Sequence, residues 1–286
     1  MTIADGVATA GPRADARAGR LARGRERTSL TLVVMLALSV GYLVLFVGWP
    51  VVYNVVLSLQ DVRLANLGTM DRQFVWLEHY RAVVADPLFG KVIANTALFV
   101  GGNVAVQFAL GLAIALLFHR GFPGAAWLRG LVLAGWILPP MVVGALWKWM
   151  FATEYGVVNF FMTGLGFVEQ GIYWLSDPGM ALLSVTIANI WFGLPFNVIL
   201  LSAGLSAIPD DLYEAAELDG AGPLARMWYI TIPLLKATML AVICIGTIYT
   251  MRAFDLIWAM TKGGPVDATT ILPLWSYKLS FEFFRF

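Results

Sequence analysis

Polar side chains set inside long apolar runs are where this chain of 286 residues offers chemistry. A charge or amide in hydrocarbon is costly and persists for a solute path, a relay or a helix contact. Arg252 and Asp255 lie three positions apart in one apolar run, a spacing that puts them on one helical face where they could neutralise each other. Asn189, Trp191 and Asn197 share another run. There, amides could meet the hydroxyls of a sugar and the indole its apolar side. Alternatively the amides tie helices together, which is the commoner duty of an amide in a membrane. No nucleophile–base grouping accompanies them. His79 and His119 stand alone in sequence, and Cys244 sits in an apolar run, which argues against a disulfide framework or a thiol metal site. No G-x-x-x-x-G-K-[ST] string occurs, so this chain is not expected to bind or hydrolyse ATP.

A different chemistry is offered by the polar interlude of residues 206–233, SAIPDDLYEAAELDGAGPLARMWYITIP. Pro209 suits a first helical position, and Asp210 and Asp211 then fall in the first turn, where carboxylates complement the helix dipole. Ile208, Leu212, Ala215 and Ala216 make an apolar face, whereas Asp210, Glu214 and Glu217 share another. Gly220 can end the helix in the left-handed conformation, and Gly222-Pro223 starts a second helical run toward Pro233. A helix this short is marginal alone, so a packing partner is expected. The residues by themselves leave two readings open, a solvated cytoplasmic loop or a surface gripped by another protein.

The string Glu214-Ala215-Ala216, then Asp219-Gly220-Ala221, then Ile230 and Pro233, resembles the EAA loop of ABC-importer permeases, spacing for spacing. The resemblance implies that these eight residues belong to a coupling helix and its return, seated in a cleft of an ATP-hydrolysing subunit. It also implies that ATP and Mg are bound in that partner, with no cofactor on this chain.

Composition agrees with a membrane setting. The chain is 59% hydrophobic and 13% charged, with mean hydropathy +0.77, values that exclude an ordinary soluble domain and predict an all-α polytopic bundle. Residues 1–28, with Arg13, Arg17, Arg20, Arg23, Arg25 and Arg27, read as a disordered basic arm on the cytoplasmic side. The arm is not a cleavable signal peptide, because the apolar run after it is too long. Its basic charge suits anionic lipid or topology rather than nucleic acid.

A first span is expected at about 30–57, with a kink at Pro50, and an outside loop follows, so that residues 29–73 form one region. Further spans are expected at about 92–118, 131–151, 180–205 and 234–260, each long enough for roughly 30 Å of hydrocarbon. In the second, Asn95, Asn103 and Gln107 should face the bundle, and in the third Pro139-Pro140 should bend a helix buried in protein. Residues 119–129 carry arginines without acids, whereas 152–180 carry Glu154, Glu169 and Asp177 without Lys or Arg. Alternation from a cytoplasmic N-terminus then places the EAA stretch inside.

Residues 74–286 form the expected transporter domain. Its beginning, WLEHYRAVVADPLFGKVIANTALFV, resembles the family's stretch ahead of the core spans. Its end does so too, through Phe254-Asp255-Leu256-Ile257, then Thr261-Lys262-Gly263-Gly264-Pro265, then Tyr277, Phe281, Phe284 and Phe286. That pattern is similar to the first of the two permeases in carbohydrate importers of the maltose and glycerol-phosphate type. Such permeases continue with another span, which this sequence, ending at Phe286, does not show. A short product and an incomplete sequence both remain open.

The resemblance thus implies a permease of the cell inner membrane working by alternating access. Its expected partners are a second EAA-type permease in a heterodimer, two ATPase subunits, an extracytoplasmic solute-binding protein and membrane lipid, without nucleic acid. The substrate pathway is assigned to Asn189, Trp191, Asn197, Arg252 and Asp255. Two rivals stand beside this reading. An ion-gradient-driven secondary transporter or channel would call for paired mid-membrane carboxylates and an inverted repeat. A non-transporting assembly factor would not need buried polar groups in several spans.

Overall fold

In the computed structural model, residues 30–63, 66, 68 and 72–284 are described, so the basic arm and Phe286 lie outside the described residues. The described residues divide into two compact units, with the boundary between Ala82 and Val83. The first holds α1 (Leu30–Ser58), a helix of 29 residues whose apolar window is wholly exposed. Pro50 sits in the first turn after a π turn at Val44–Gly48. The Ser58 and Tyr80 hydroxyls lie 2.8 Å apart, and an isolated bridge pairs Gln60 with Phe74. Helix α2 (Glu78–Ala85) then leads into the second unit.

That unit is an all-α bundle of α3 (Phe89–His119), α4 (Ala125–Ile137), α5 (Pro140–Met150), α6 (Val157–Gly164), α7 (Pro178–Ser206), α8 (Asp210–Leu218), α9 (Pro223–Met251), α10 (Asp255–Met260) and α11 (Leu272–Tyr277). Among the described residues α1, α3, α7 and α9 are long and apolar enough to cross a membrane, which makes four such helices, or five spans if α4 and α5 together form one broken span. Helix α7 begins at Pro178, two residues ahead of the expected start, because the Asp177 carboxylate accepts from the Gly179 and Met180 amides at 2.6 and 3.3 Å.

Helices α3 and α7 run parallel and touch through glycines. A Cβ on Gly111 would come within 2.6 Å of the Asn197 Cβ, and one on Gly193 within 2.5 Å of the Gln107 amide. Such close backbone approach is the usual use of small residues between membrane helices. Across the seam the Gln107 amide donates to the Asn189 carbonyl at 2.8 Å, and the Asn189 amide donates to Asn103 Oδ1 at 2.8 Å. One apolar core, with Phe99, Val143, Phe151, Ile257 and Leu274, lies on one side of this polar seam. A second, with Ala115, Leu201, Leu205, Ile208 and Leu235, lies toward α8.

Two spans differ from expectation. The third is not a bent helix but two helices meeting at 103°. Leu138 and Pro139 both precede a proline and are held extended, with ψ 137 and 139, so Pro140 can only start a new helix. Helix α4 also begins at Ala125, inside the expected loop, and none of its residues is buried. The fifth span ends early, at Met251, and α10 starts afresh at Asp255. No Gly or Pro marks that break. Tertiary packing imposes it, because Leu256, Ile257 and Met260 bury themselves in the first core. The span also starts early, as the run from Pro223 joins it through a π turn at Met227–Thr231 just ahead of Pro233.

Candidate functional site

The geometry of α8 follows from its own residues. Pro209 is the extended residue before the helix and Asp210 its first member, with Asp211 beside it in the first turn. Gly220 takes φ 81, which lets the Gly220 amide reach the Glu217 carbonyl at 3.0 Å and the Ala221 amide reach the Ala216 carbonyl at 2.8 Å. These two bonds form a Schellman cap, so the separation of Ala216, Gly220 and Ala221 has a local physical cause. Arg226 on the returning chain donates to Glu217 at 2.8 Å. Tyr213 meets the Thr231 hydroxyl at 3.0 Å, and both Tyr213 and Ile230 pack on the second core. The helix is therefore fastened through Ile208, Tyr213 and Ile230, not through Leu212 and Ala215. Glu214, Ala215, Asp219 and Pro233 are exposed, Ala216 and Ala221 are half-buried, and Leu218 is 91% exposed. Leu212, Ala215 and Leu218 lie along one side of α8 and are exposed among the described residues, Leu218 most of all.

Farther along the bundle a cavity of about 370 Å³ opens among α3, α4, α5, α7, α9 and α10. Its walls are aromatic, with Trp136, Phe192, Phe196, Tyr249 and Phe254, and Gln107, Asn189, Thr250, Arg252 and Asp255 supply polar groups. Both helix breaks border it, Pro140 on one wall and residues 252–254 on another. Irregular backbone at membrane depth is tolerated where it lines a cavity or is buried in protein. A few polar groups on a largely apolar wall is the composition of a small-molecule site.

Of the residues that the sequence singles out, Asn189, Arg252 and Asp255 come together on this cavity, whereas Trp191 and Asn197 are not among its lining. The Trp191 ring packs edge-on to Trp147, with centroids 6.1 Å apart, and covers Gly135. Asn197 is buried, donating to the Gly193 carbonyl at 3.0 Å. Arg252 and Asp255 do not share a helical face, because the break falls between them, and among the described residues no ion pair joins them. Residues missed from sequence had a readable signal. Asn189, Phe192, Gly193 and Phe196 form an i, i+3, i+4, i+7 stripe on α7, and Trp191 falls off it.

The turn cluster after α10 is tied to α3 by hydrogen bonds. Thr269 and Thr270 are fully buried, and the Asn95 amide donates to the Asp267 and Thr270 carbonyls at 3.1 and 3.2 Å. Asp267 pairs with Lys278 at 3.1 Å. Burial pushes its carboxyl upward, but hydrogen bonds from Lys278 and Thr270 and the charges of Lys278 and Lys91 outweigh that and hold it below the usual range.

Residues 107–286 match the family described as the binding-protein-dependent transport system inner membrane component. The sulfoquinovosyl glycerol transport system permease protein SmoG of Agrobacterium fabrum is 34% identical over 254 residues, which are 89% of this chain and 81% of that one. The trehalose/maltose transport system permease protein MalF of Thermococcus litoralis is 36% identical over 207 residues, 72% of this chain and 70% of that one. A bacterial ABC transporter involved in the import of the acidic polysaccharide alginate shares the fold, with TM-score 0.75 at 20% identity over 93% of this chain and 89% of that one. The match to the family over residues 107–286 and the two permease relatives lead to one conclusion: this chain belongs to the inner-membrane permease components of binding-protein-dependent ABC transport systems, transport subunits rather than enzymes.

Proposed function

We propose that the chain forms one half of the transmembrane path of an ATP-driven importer for a carbohydrate or related polyol, with α8 as the coupling helix. The observation that carries this reading is the side of α8 bearing Leu212, Ala215 and Leu218. Its three residues are exposed among the described residues, and the helix is joined directly to α7 and α9, which wall the cavity. The partner on α8 is an ATPase subunit holding ATP and Mg. Glu214, Ala215, Ala216, Asp219, Gly220 and Ala221 meet its cleft, and Ile230 and Pro233 set the return. A second EAA-type permease supplies the other half of the path, each permease meets one of two ATPases, and an extracytoplasmic solute-binding protein delivers the solute. The N-terminus is cytoplasmic. Closure of the ATPase dimer moves α8 as a rigid body and rocks the spans between outward- and inward-facing states.

Aromatic faces beside amides, a guanidinium and a carboxylate suit a sugar, which has an apolar face and a rim of hydroxyls. The names of the two relatives and of the alginate importer lend support to that class. Within the cavity Arg252, Asp255 and Asn189 are assigned to the solute, Trp191 to the wall behind it and Asn197 to the seam. Replacing Glu214→Lys tests the coupling role. Membrane insertion should remain normal, while uptake is lost or no longer follows ATP hydrolysis. Uptake at the normal rate would remove the coupling role.

A further inference from the structure

Helix α6 faces the wrong way for a helix in water. Its inner side carries Asn159, which is buried. The Asn159 amide donates to the Thr153 and Ile172 carbonyls at 3.1 and 2.9 Å, and its Oδ1 accepts from the Ile172 amide and the Trp174 indole at 3.1 and 2.8 Å. Four bonds to one amide fix the rotation of the helix. Its outer side carries Phe160, Phe161 and Leu165, the first 73% and the last 69% exposed. A Schellman cap then places Phe167 beside them, with Gly166 at φ 75 and the Phe167 amide on the Met162 carbonyl at 3.0 Å. An exposed apolar patch held this rigidly marks a surface that something covers.

We infer that α6 and its cap lie in the boundary between headgroups and acyl chains, with Phe160, Phe161, Leu165 and Phe167 immersed in lipid. Position supports lipid as the cover. The segment links the far end of α5 to the start of α7, where the chain passes from one span to the next, at the end of the bundle away from α8. Leu146 and Trp149 on α5 and Leu183 on α7 are likewise exposed, so the apolar band of the spans runs onto α6. Residues 152–180 contain no Lys or Arg, so attachment rests on apolar burial and not on anionic headgroups. The Asn159 hub thereby ties the ends of two spans to a fixed depth. This inference stands whatever the solute or the engine.

Site-directed spin labelling of the chain in phosphatidylcholine nanodiscs tests it. Cys244 is the single cysteine, so Cys244→Ala provides the background for labels at F160C, F167C and, as a water-side reference, E169C. The labels at positions 160 and 167 should collide with oxygen several-fold more than with a water-soluble nickel chelate, and the label at 169 should show the reverse. Chelate access at 160 and 167 equal to that at 169 would overturn the inference. So would shielding from both reagents, because a protein surface would then be the cover. Labels at two positions keep the test alive if one variant fails to fold.

Discussion

Gly111 and Gly193 do at one point what a whole helix face does elsewhere: they set the register of α3 against α7. The Gly111→Ala methyl would meet the Asn197 Cβ, which cannot swing away, whereas Gly101 has open space around it. Gly111→Ala should therefore cost about 1–3 kcal/mol by overpacking. Gly101→Ala should be neutral or stabilising, since alanine is the better helix former. Thermal unfolding of both variants in detergent checks the contrast. Asp267 offers a second residue-scale expectation. Its folded carboxyl titrates below the ordinary range, so its stabilisation is present above that range and is lost as pH falls through the lowered folded value. The melting temperature should therefore drop as pH falls from about 5 toward 3, and Asp267→Asn should flatten that step. At this scale the sequence was half legible. Asn103, Gln107 and Asn189 declared themselves as polar groups in apolar runs, but their partners depend on a register written in glycine contacts. Trp191 read as a sugar platform by type alone, although its helical phase turns it toward Trp147.

Elements whose signals are local were the legible ones. Helix α8 is bounded by a proline, first-turn acids and a glycine, all within one short stretch, and it forms where those signals place it. Its cap can be tested directly. Gly220→Ala keeps φ 81 only at a cost of about 1–2 kcal/mol for a left-handed alanine, enough to fray the end that carries Ala216 and Asp219. Under the coupling reading, ATPase association should weaken measurably in co-purification while insertion stays normal. Gly222→Ala, at φ −69, should change neither. The break between α9 and α10 was not legible, because residues 251–255 contain neither Gly nor Pro. It exists because Gly144 lets α10 pack against α5, where a Cβ would lie 2.7 Å from Ala259. The Pro139-Pro140 break was legible in place but not in angle. The prolines forbid a continuous helix, but only packing selects 103°.

On the scale of the whole transporter unit, a polar seam separates two apolar cores, and the cavity opens beside that seam. Helix α8 is rooted in one core and α10 in the other. Under the coupling reading, force applied at α8 reaches the cavity through α7, which contributes to both cores, and through α9, which is rooted in the second core and borders the cavity with Gly246, Tyr249 and Thr250. That arrangement predicts separable losses. Arg252 and Asp255 border the cavity, whereas α8 is rooted in the second core, so Arg252→Ala or Asp255→Asn should leave ATPase association unchanged. Losing one hydrogen-bonded charge from a solute site should raise the apparent KM for uptake on the order of tenfold, ~1.4 kcal/mol. Glu214→Lys should do the reverse, removing coupled uptake without changing solute affinity. In the combined Glu214→Lys and Arg252→Ala chain, uptake should fall no further than with Glu214→Lys alone, because an uncoupled path cannot use its affinity. Co-purification of the ATPase, solute binding and uptake, measured on the same four membranes, would separate the two ends. If Arg252→Ala alone released the ATPase, cavity and coupling helix would be one site, and this division of labour would fail.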